Sequence, residues 1–275
     1  MPKPLLIISD AITSPSGLGR VTRELAIRIH KDLSDVFRLG VAGYGGTYSR
    51  KFPFPQYTFA KLENWAIQEL PGIWYDFAGE EKGIVFFIWN ASWLTWAADP
   101  DTLQDGDLKT VLKSGAFKKW IYAPVDSVSP NDRLHQSEKM ILSKFDRVLA
   151  YTKWGAAVID RTFHSPVSVH PEFPVTDFLP HGTDGSIFFP RDRGEARRTF
   201  VERIVKRGAG RISDDVVFLG VCATNTPRKD WGLAFETCGE LLNLGVNVGL
   251  WAHTDRFQKV GAWDLLNLAD EFGMR

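Results

Sequence analysis

Short apolar runs recur along this chain, most of them followed by a segment with helical spacing, and this alternation constrains the fold more than any other feature. Leu5-Leu-Ile-Ile-Ser-Asp10 reads as a buried strand, and residues 20–33 carry apolar side chains at Val21, Leu25, Ile29 and Leu33, the stripe of an amphipathic helix. Further strands are predicted at 37–43, 83–90, 119–126 and 147–151, with helices at 73–81, 108–118, 131–145 and 153–163. Short extended pieces are predicted at 167–169 and 175–179. Residues 44–72 are rich in Gly, Tyr and Pro and read as a short strand with a surface excursion. Repeated βα units of this kind build a parallel sheet with helices on both faces.

The pattern then restarts. Residues 180–190 are dense in turn formers, and a basic segment at 191–211 contains a predicted helix over 196–206. Val216-Val-Phe-Leu-Gly-Val-Cys-Ala223 has the composition of a parallel strand, and a helix is predicted from Trp231 to Leu242. One more strand at 246–253 and a helix at 262–272 follow. The chain therefore divides into a first α/β domain over 1–190 and a second over 191–275.

With 275 residues, 44% of them hydrophobic, the chain can bury a sizeable core. Thirty-three basic residues balance thirty-three acidic ones, so no nucleic acid is expected as a partner. The basic segment reads first as a solvated helix with internal ion pairs through Asp192, Glu195 and Glu202, and second as a peripheral contact with an acidic membrane surface. Ten Trp suit either packing or platforms for sugars. Cys222 and Cys238, the two cysteines, read as buried small apolar residues. No zinc-like spacing, signal peptide or membrane span is visible, so no metal and a cytoplasmic location are expected.

Open parallel sheets bind ligands beyond the carboxyl ends of their strands. Two loops fall there. Ser14-Pro-Ser-Gly-Leu-Gly-Arg20 offers Gly17 and Gly19 for positive φ and close backbone approach, or is simply a tight strand-to-helix connection. It does not complete the dinucleotide fingerprint, because residue 22 is Thr. Thr224-Asn-Thr-Pro-Arg-Lys-Asp230 places Arg228 and Lys229 just before a helix. Two cations and a helix N-terminus suit a di- or triphosphate, whereas without an anion the cations would oppose the helix dipole. Asp126 follows a strand and either orients a hydroxyl or base, or caps a helix. His181 either meets a phosphate or packs within its turn.

Four passages, in order, carry a resemblance: Ser16-Gly-Leu-Gly-Arg-Val-Thr-Arg-Glu-Leu-Ala26, Leu149-Ala-Tyr-Thr-Lys-Trp-Gly-Ala-Ala-Val158, Leu179-Pro-His-Gly-Thr-Asp-Gly-Ser-Ile-Phe-Phe-Pro190, and Phe218-Leu-Gly-Val followed by Asn225-Thr-Pro-Arg-Lys-Asp-Trp231. Together they resemble the retaining glycosyltransferases of GT-B architecture, group 1 or family 4. The resemblance implies two Rossmann-like domains, an N-terminal one facing the acceptor and a C-terminal one holding a UDP-sugar or GDP-sugar without a metal. It implies that Lys229 and Arg228 bind the diphosphate and stabilise the leaving group. It also implies that Gly17, Leu18, Gly19, Arg20, His181, Thr224 and Asn225 line the donor site, and it puts Asp126 at an active-site polar position where many members have His.

Two departures stand out. Thr224 occupies a place where the family commonly has Arg, and Arg228 stands in from nearby. The family's later strands, with an acidic donor-contacting motif, have no counterpart here, so the second domain is expected to be truncated and incomplete. The leading reading is transfer of a sugar, with retention, to a saccharide, lipid or protein acceptor. A binding module or fragment without turnover is the alternative, and an unrelated nucleotide-binding protein such as an epimerase ranks last.

Overall fold

The computed structural model describes residues 1–59, 68–164, 177–208, 211–255 and 262–274. The chain forms two compact units, Met1–Thr183 and Asp184–Arg275. The first is built on a seven-stranded parallel sheet of β1 (Lys3–Asp10), β2 (Phe37–Tyr44), β3 (Gln56–Thr58), β4 (Gly83–Phe87), β5 (Phe117–Ala123), β6 (Arg147–Ala150) and β7 (Asp177–Phe178). Their order is β3-β2-β1-β4-β5-β6-β7. Chain direction across the sheet reverses at β1, which pairs with β2 on one edge and β4 on the other, Leu6 lying opposite both Gly40 and Val85.

Alternate residues of β1 feed two cores, because successive strand side chains point to opposite faces. Leu5 and Ile7 join Ala26 of α1 (Gly17–Asp32), with Val21, Leu25 and Ile29 packed around them. Leu6 and Ile8 face the other side. That side is covered by Trp74 and Phe77 of α2 (Leu70–Ala78), Val111 of α4 (Asp107–Lys113), Ile141 of α5 (Gln136–Leu142), and Val158 and Phe163 of α6 (Lys153–Phe163). A short α3 (Thr95–Ala98) adds Trp96. Trp74 and Trp89 are sealed from solvent, so these indoles are core and not sugar platforms.

Several predicted boundaries move for local reasons. The helix expected at 20–33 begins at Gly17, because the Ser16 hydroxyl accepts the Gly19 N–H at 2.9 Å and starts the helix a turn early. The helix expected at 108–118 stops at Lys113: Gly115 turns the chain with φ +69°, and buried Phe117 opens β5. The 131–145 helix contracts to α5, since Asp132 sits at φ 58° in a turn held by Ser129. The strand read to 90 ends at Phe87, and Asn90 instead caps a turn over Ala91–Trp93. The extended piece at 167–169 and the start of the one at 175–179 lie outside the described residues.

The second unit holds a two-stranded parallel sheet, β8 (Val217–Cys222) and β9 (Val248–His253), with α7 (Arg193–Lys206), α8 (Trp231–Asn243) and α9 (Leu265–Glu271). Phe200 of α7 meets Phe218 and Trp251 edge-on, both at 5.0 Å. Trp231 and Cys238 of α8 are fully buried. Cys222 is exposed, correcting its reading as a buried residue. The expected ion pairs inside α7 do not form among the described residues: Asp192 caps the helix by accepting the Glu195 N–H, and Arg197 donates to the Asp214 carbonyl. The fold class read from the sequence is observed, a Rossmann-like parallel α/β unit followed by a smaller α/β unit. Among the described residues no helix is long and apolar enough to cross a membrane.

Trp74 is wedged between Phe77 and Phe117, with ring centroids 6.3 and 4.9 Å away. Trp74→Ala should cost about 3–5 kcal/mol of stability, measured as a lowered urea midpoint.

Candidate functional site

All strands of the first sheet run parallel, so their carboxyl ends share one edge. Strand order reverses between β1 and β4, and in doubly wound sheets such a switch point is where ligands bind. Asp10 ends β1 at this point. Its carboxylate accepts a short hydrogen bond from the Ser16 hydroxyl and one from the Trp89 indole N–H at 3.4 Å. Ser16 in turn accepts the Gly19 N–H, so a carboxylate, a hydroxyl and a backbone amide lock the first turn of α1 onto the sheet.

Within that turn the two glycines differ. Neither has positive φ, correcting the expectation from sequence. Gly19 is required for space: a Cβ there would lie 2.7 Å from the Ala11 carbonyl oxygen and 2.9 Å from that of Ser14. Gly17 has open space around it. Leu18 packs against both cores, and Arg20 is exposed one residue beyond the tight glycine. The N–H groups of Gly17 and Leu18 have no acceptor among the described residues, and both lie at the helix N-terminus.

Farther along the same edge, the His181 ring packs tilted against Tyr151 with centroids 4.3 Å apart, and Tyr151 likewise against Tyr122 at 4.1 Å. Tyr122 donates a short hydrogen bond to the Leu179 carbonyl, and burial pushes its phenol up to about 12. Burial also raises the Tyr151 phenol, helped by the negative charges of Tyr122, Asp126 and Asp10. Partial burial lowers the His181 imidazole, which favours its neutral form at pH 7. Asp126 itself is exposed, three residues past the end of β5. The structure thus brings the Gly17–Arg20 turn, Asp126 and His181 to one edge. It adds Asp10, Trp89, Tyr122 and Tyr151, which sequence reasoning did not select. Their common signal is position: each lies at, or within two residues of, the carboxyl end of an apolar strand.

In the second unit, Thr224, Asn225, Arg228 and Lys229 share the loop after β8. Asn225 is buried, donating to the Trp263 carbonyl at 2.9 Å and accepting its N–H at 3.0 Å. Its amide therefore holds the loop's shape. The Thr224 carbonyl accepts the Trp231 indole N–H at 3.4 Å. Pro227–Lys229 form one 3-10 turn, and Asp230, at φ 44°, caps α8 by accepting the Leu233 N–H. The helix entrance expected to be open to an anion thus already holds a carboxylate, and any anion at this loop would rely chiefly on the cations. Arg228 and Lys229 are exposed and form no ion pair among the described residues. No group of three or more His, Cys, Asp or Glu placed to hold a metal ion occurs among the described residues.

No protein-family model and no curated protein sequence matches the chain. Among solved structures it is similar to an alpha-glucosyltransferase in complex with UDP and a 13-mer DNA containing a central A:G mismatch, at 12% identity and a TM-score of 0.40, over 99% of this chain and 60% of that one. It is also similar to an alpha-glucosyltransferase in complex with UDP-glucose and DNA containing an abasic site, at 11% identity and a TM-score of 0.44, over 100% of this chain and 61% of that one. The chain thus spans about 60% of the length of these structures. Both hold DNA, which corrects the exclusion of nucleic acid: a net charge of zero over the whole chain does not rule out such a partner.

Gly19→Ala should lower stability by roughly 1–3 kcal/mol, whereas Gly17→Ala should be neutral or slightly stabilising, as read by urea denaturation. Equal effects would show that the turn is not packed against Ala11 and Ser14.

Proposed function

We propose that the chain belongs to a sugar-transfer system that uses a nucleotide-diphosphate sugar. The second unit holds the donor diphosphate through Arg228 and Lys229, and the first unit holds the acceptor along the carboxyl edge of its sheet. The observation that carries this reading is the loop after β8. Two cations without ion-pair partners among the described residues stand on a turn whose backbone is pinned by Asn225 and Trp231. Fixed cations of this kind pair with a diphosphate and stabilise the charge that develops as it leaves.

In the reaction, the bond between the anomeric carbon and the diphosphate oxygen breaks and the diphosphate keeps the electron pair. An acceptor hydroxyl oxygen bonds to that carbon, and its proton passes to Asp126 or to the departing phosphate. The family resemblance supports retention of anomeric configuration, donor-side contacts from Thr224, and a role for Gly17, Leu18, Gly19, Arg20 and His181 at the edge of the first sheet. UDP and UDP-glucose are the first donors to test, being the ones held in the solved structures of similar arrangement.

Titration calorimetry with UDP should give measurable heat, and Lys229→Ala should weaken binding by about 1–3 kcal/mol. Unchanged affinity would move the diphosphate elsewhere. Tight UDP binding with no release of glucose from UDP-glucose across a panel of acceptors would favour a binding module over a transferase.

A further inference from the structure

The loop after β8 carries an anion of its own. Arg228 and Lys229 are followed at once by Asp230, and all three are exposed. Asp230 holds a left-handed backbone, φ 44° and ψ 59°, which few residues other than Gly adopt and which Asp and Asn tolerate best. That conformation turns the chain into α8 and lets the carboxylate accept the Leu233 N–H at 3.3 Å, so its charge stands at the entrance of the helix. The Lys229 and Asp230 amides are themselves donated to the Thr226 and Pro227 carbonyls, both at 3.0 Å. The amides of residues 229, 230 and 233 are thus already engaged, and charge governs what this loop holds. In the empty loop the carboxylate complements the helix dipole, which the two cations oppose.

We propose that Asp230 is a built-in counter-ion that weakens the hold of this loop on the diphosphate product more than on the sugar donor, and so favours product release. The inference rests on the loop being the diphosphate site. It goes beyond that reading by naming a residue that discriminates between the two ligands. In the donor each phosphate is linked on both sides. Once the sugar has left, the terminal phosphate has a second ionisable oxygen that titrates at about pH 6, so at pH 7 the product carries about one more negative charge. The neighbouring carboxylate repels both ligands, and the product by that extra charge. One charge pair about 4–6 Å apart in water changes an equilibrium about three- to fivefold. A residue at this position can therefore set the ratio of product to donor affinity without touching the sugar.

The test uses the full chain with its Asp230→Asn and Lys229→Ala variants, titrated calorimetrically with UDP, UDP-glucose and uridine. Asn keeps the left-handed turn and the helix cap while removing the charge, so the thermal midpoint should move by less than about 3 °C. Asp230→Asn should tighten UDP more than UDP-glucose, lowering the ratio of the UDP Kd to the UDP-glucose Kd about threefold at low ionic strength. In about 1 M salt, where the screening length is about 3 Å, that change should disappear. Uridine, which carries no phosphate, should not distinguish the two proteins. A merely structural role for Asp230 would shift both nucleotides equally and ignore salt. The proposal is overturned if the ratio is unchanged, if its change survives high salt, or if uridine binding changes in the same way. Lys229→Ala reads the loop assignment separately: weaker UDP binding there, with an unchanged ratio in Asp230→Asn, removes this proposal and leaves the donor reading standing. Failure of UDP or UDP-glucose to bind the unaltered chain overturns both.

Discussion

β1 is hydrogen-bonded along both edges and buried on both faces, and the architecture of the first unit depends on that double constraint. A strand so placed must be apolar on alternate residues toward two cores, and Leu5 through Ile8 meet the demand without a break. Because β2 and β4 flank it, the connections diverge at its carboxyl end. Asp10 stands at that divergence. The polar groups at the edge are therefore consequences of strand order as much as of local sequence. Each strand delivers one or two side chains to the same rim, and residues far apart in the chain become neighbours there.

Chemistry at that rim is divided between groups already satisfied and groups left available. Asp10, Ser16 and Gly19 spend their hydrogen bonds on one another, and Tyr122 spends its hydroxyl on the backbone. What remains presented is the pair of amides at Gly17 and Leu18 and the exposed Asp126 carboxylate. The loop after β8 follows the same division. Asn225 and Asp230 are engaged in holding the turn, and Arg228 and Lys229 are left to act outward.

Much of this was legible in the sequence because burial writes a periodic signal. The alternation of strands and helices, the Lys153–Phe163 helix and the loop placement of Arg228 and Lys229 all follow from spacing. Helix ends were harder to place, since they turn on single hydrogen bonds such as Ser16 to Gly19 or on single backbone angles such as that of Gly115. The glycines at 17 and 19 looked equivalent, yet only the second is crowded, a distinction set by the Ala11 and Ser14 carbonyls. The part Asn225 plays in holding its loop was hidden because polar loop residues look alike until a partner such as Trp263 is known. Tyr151 and Asp10 escaped notice because nothing local marks a strand's last residue as part of a shared rim. Only the lateral order of strands does so.

The pair of hydrogen bonds between Asn225 and Trp263 spans 38 residues of chain. A loop closed over that distance carries an entropic cost that is met only once the later segment is in place. During synthesis, the cationic turn would therefore emerge well before the indole-bearing segment that fixes its shape. The turn and its two cations would acquire a defined geometry only after Trp263 has been made and docked.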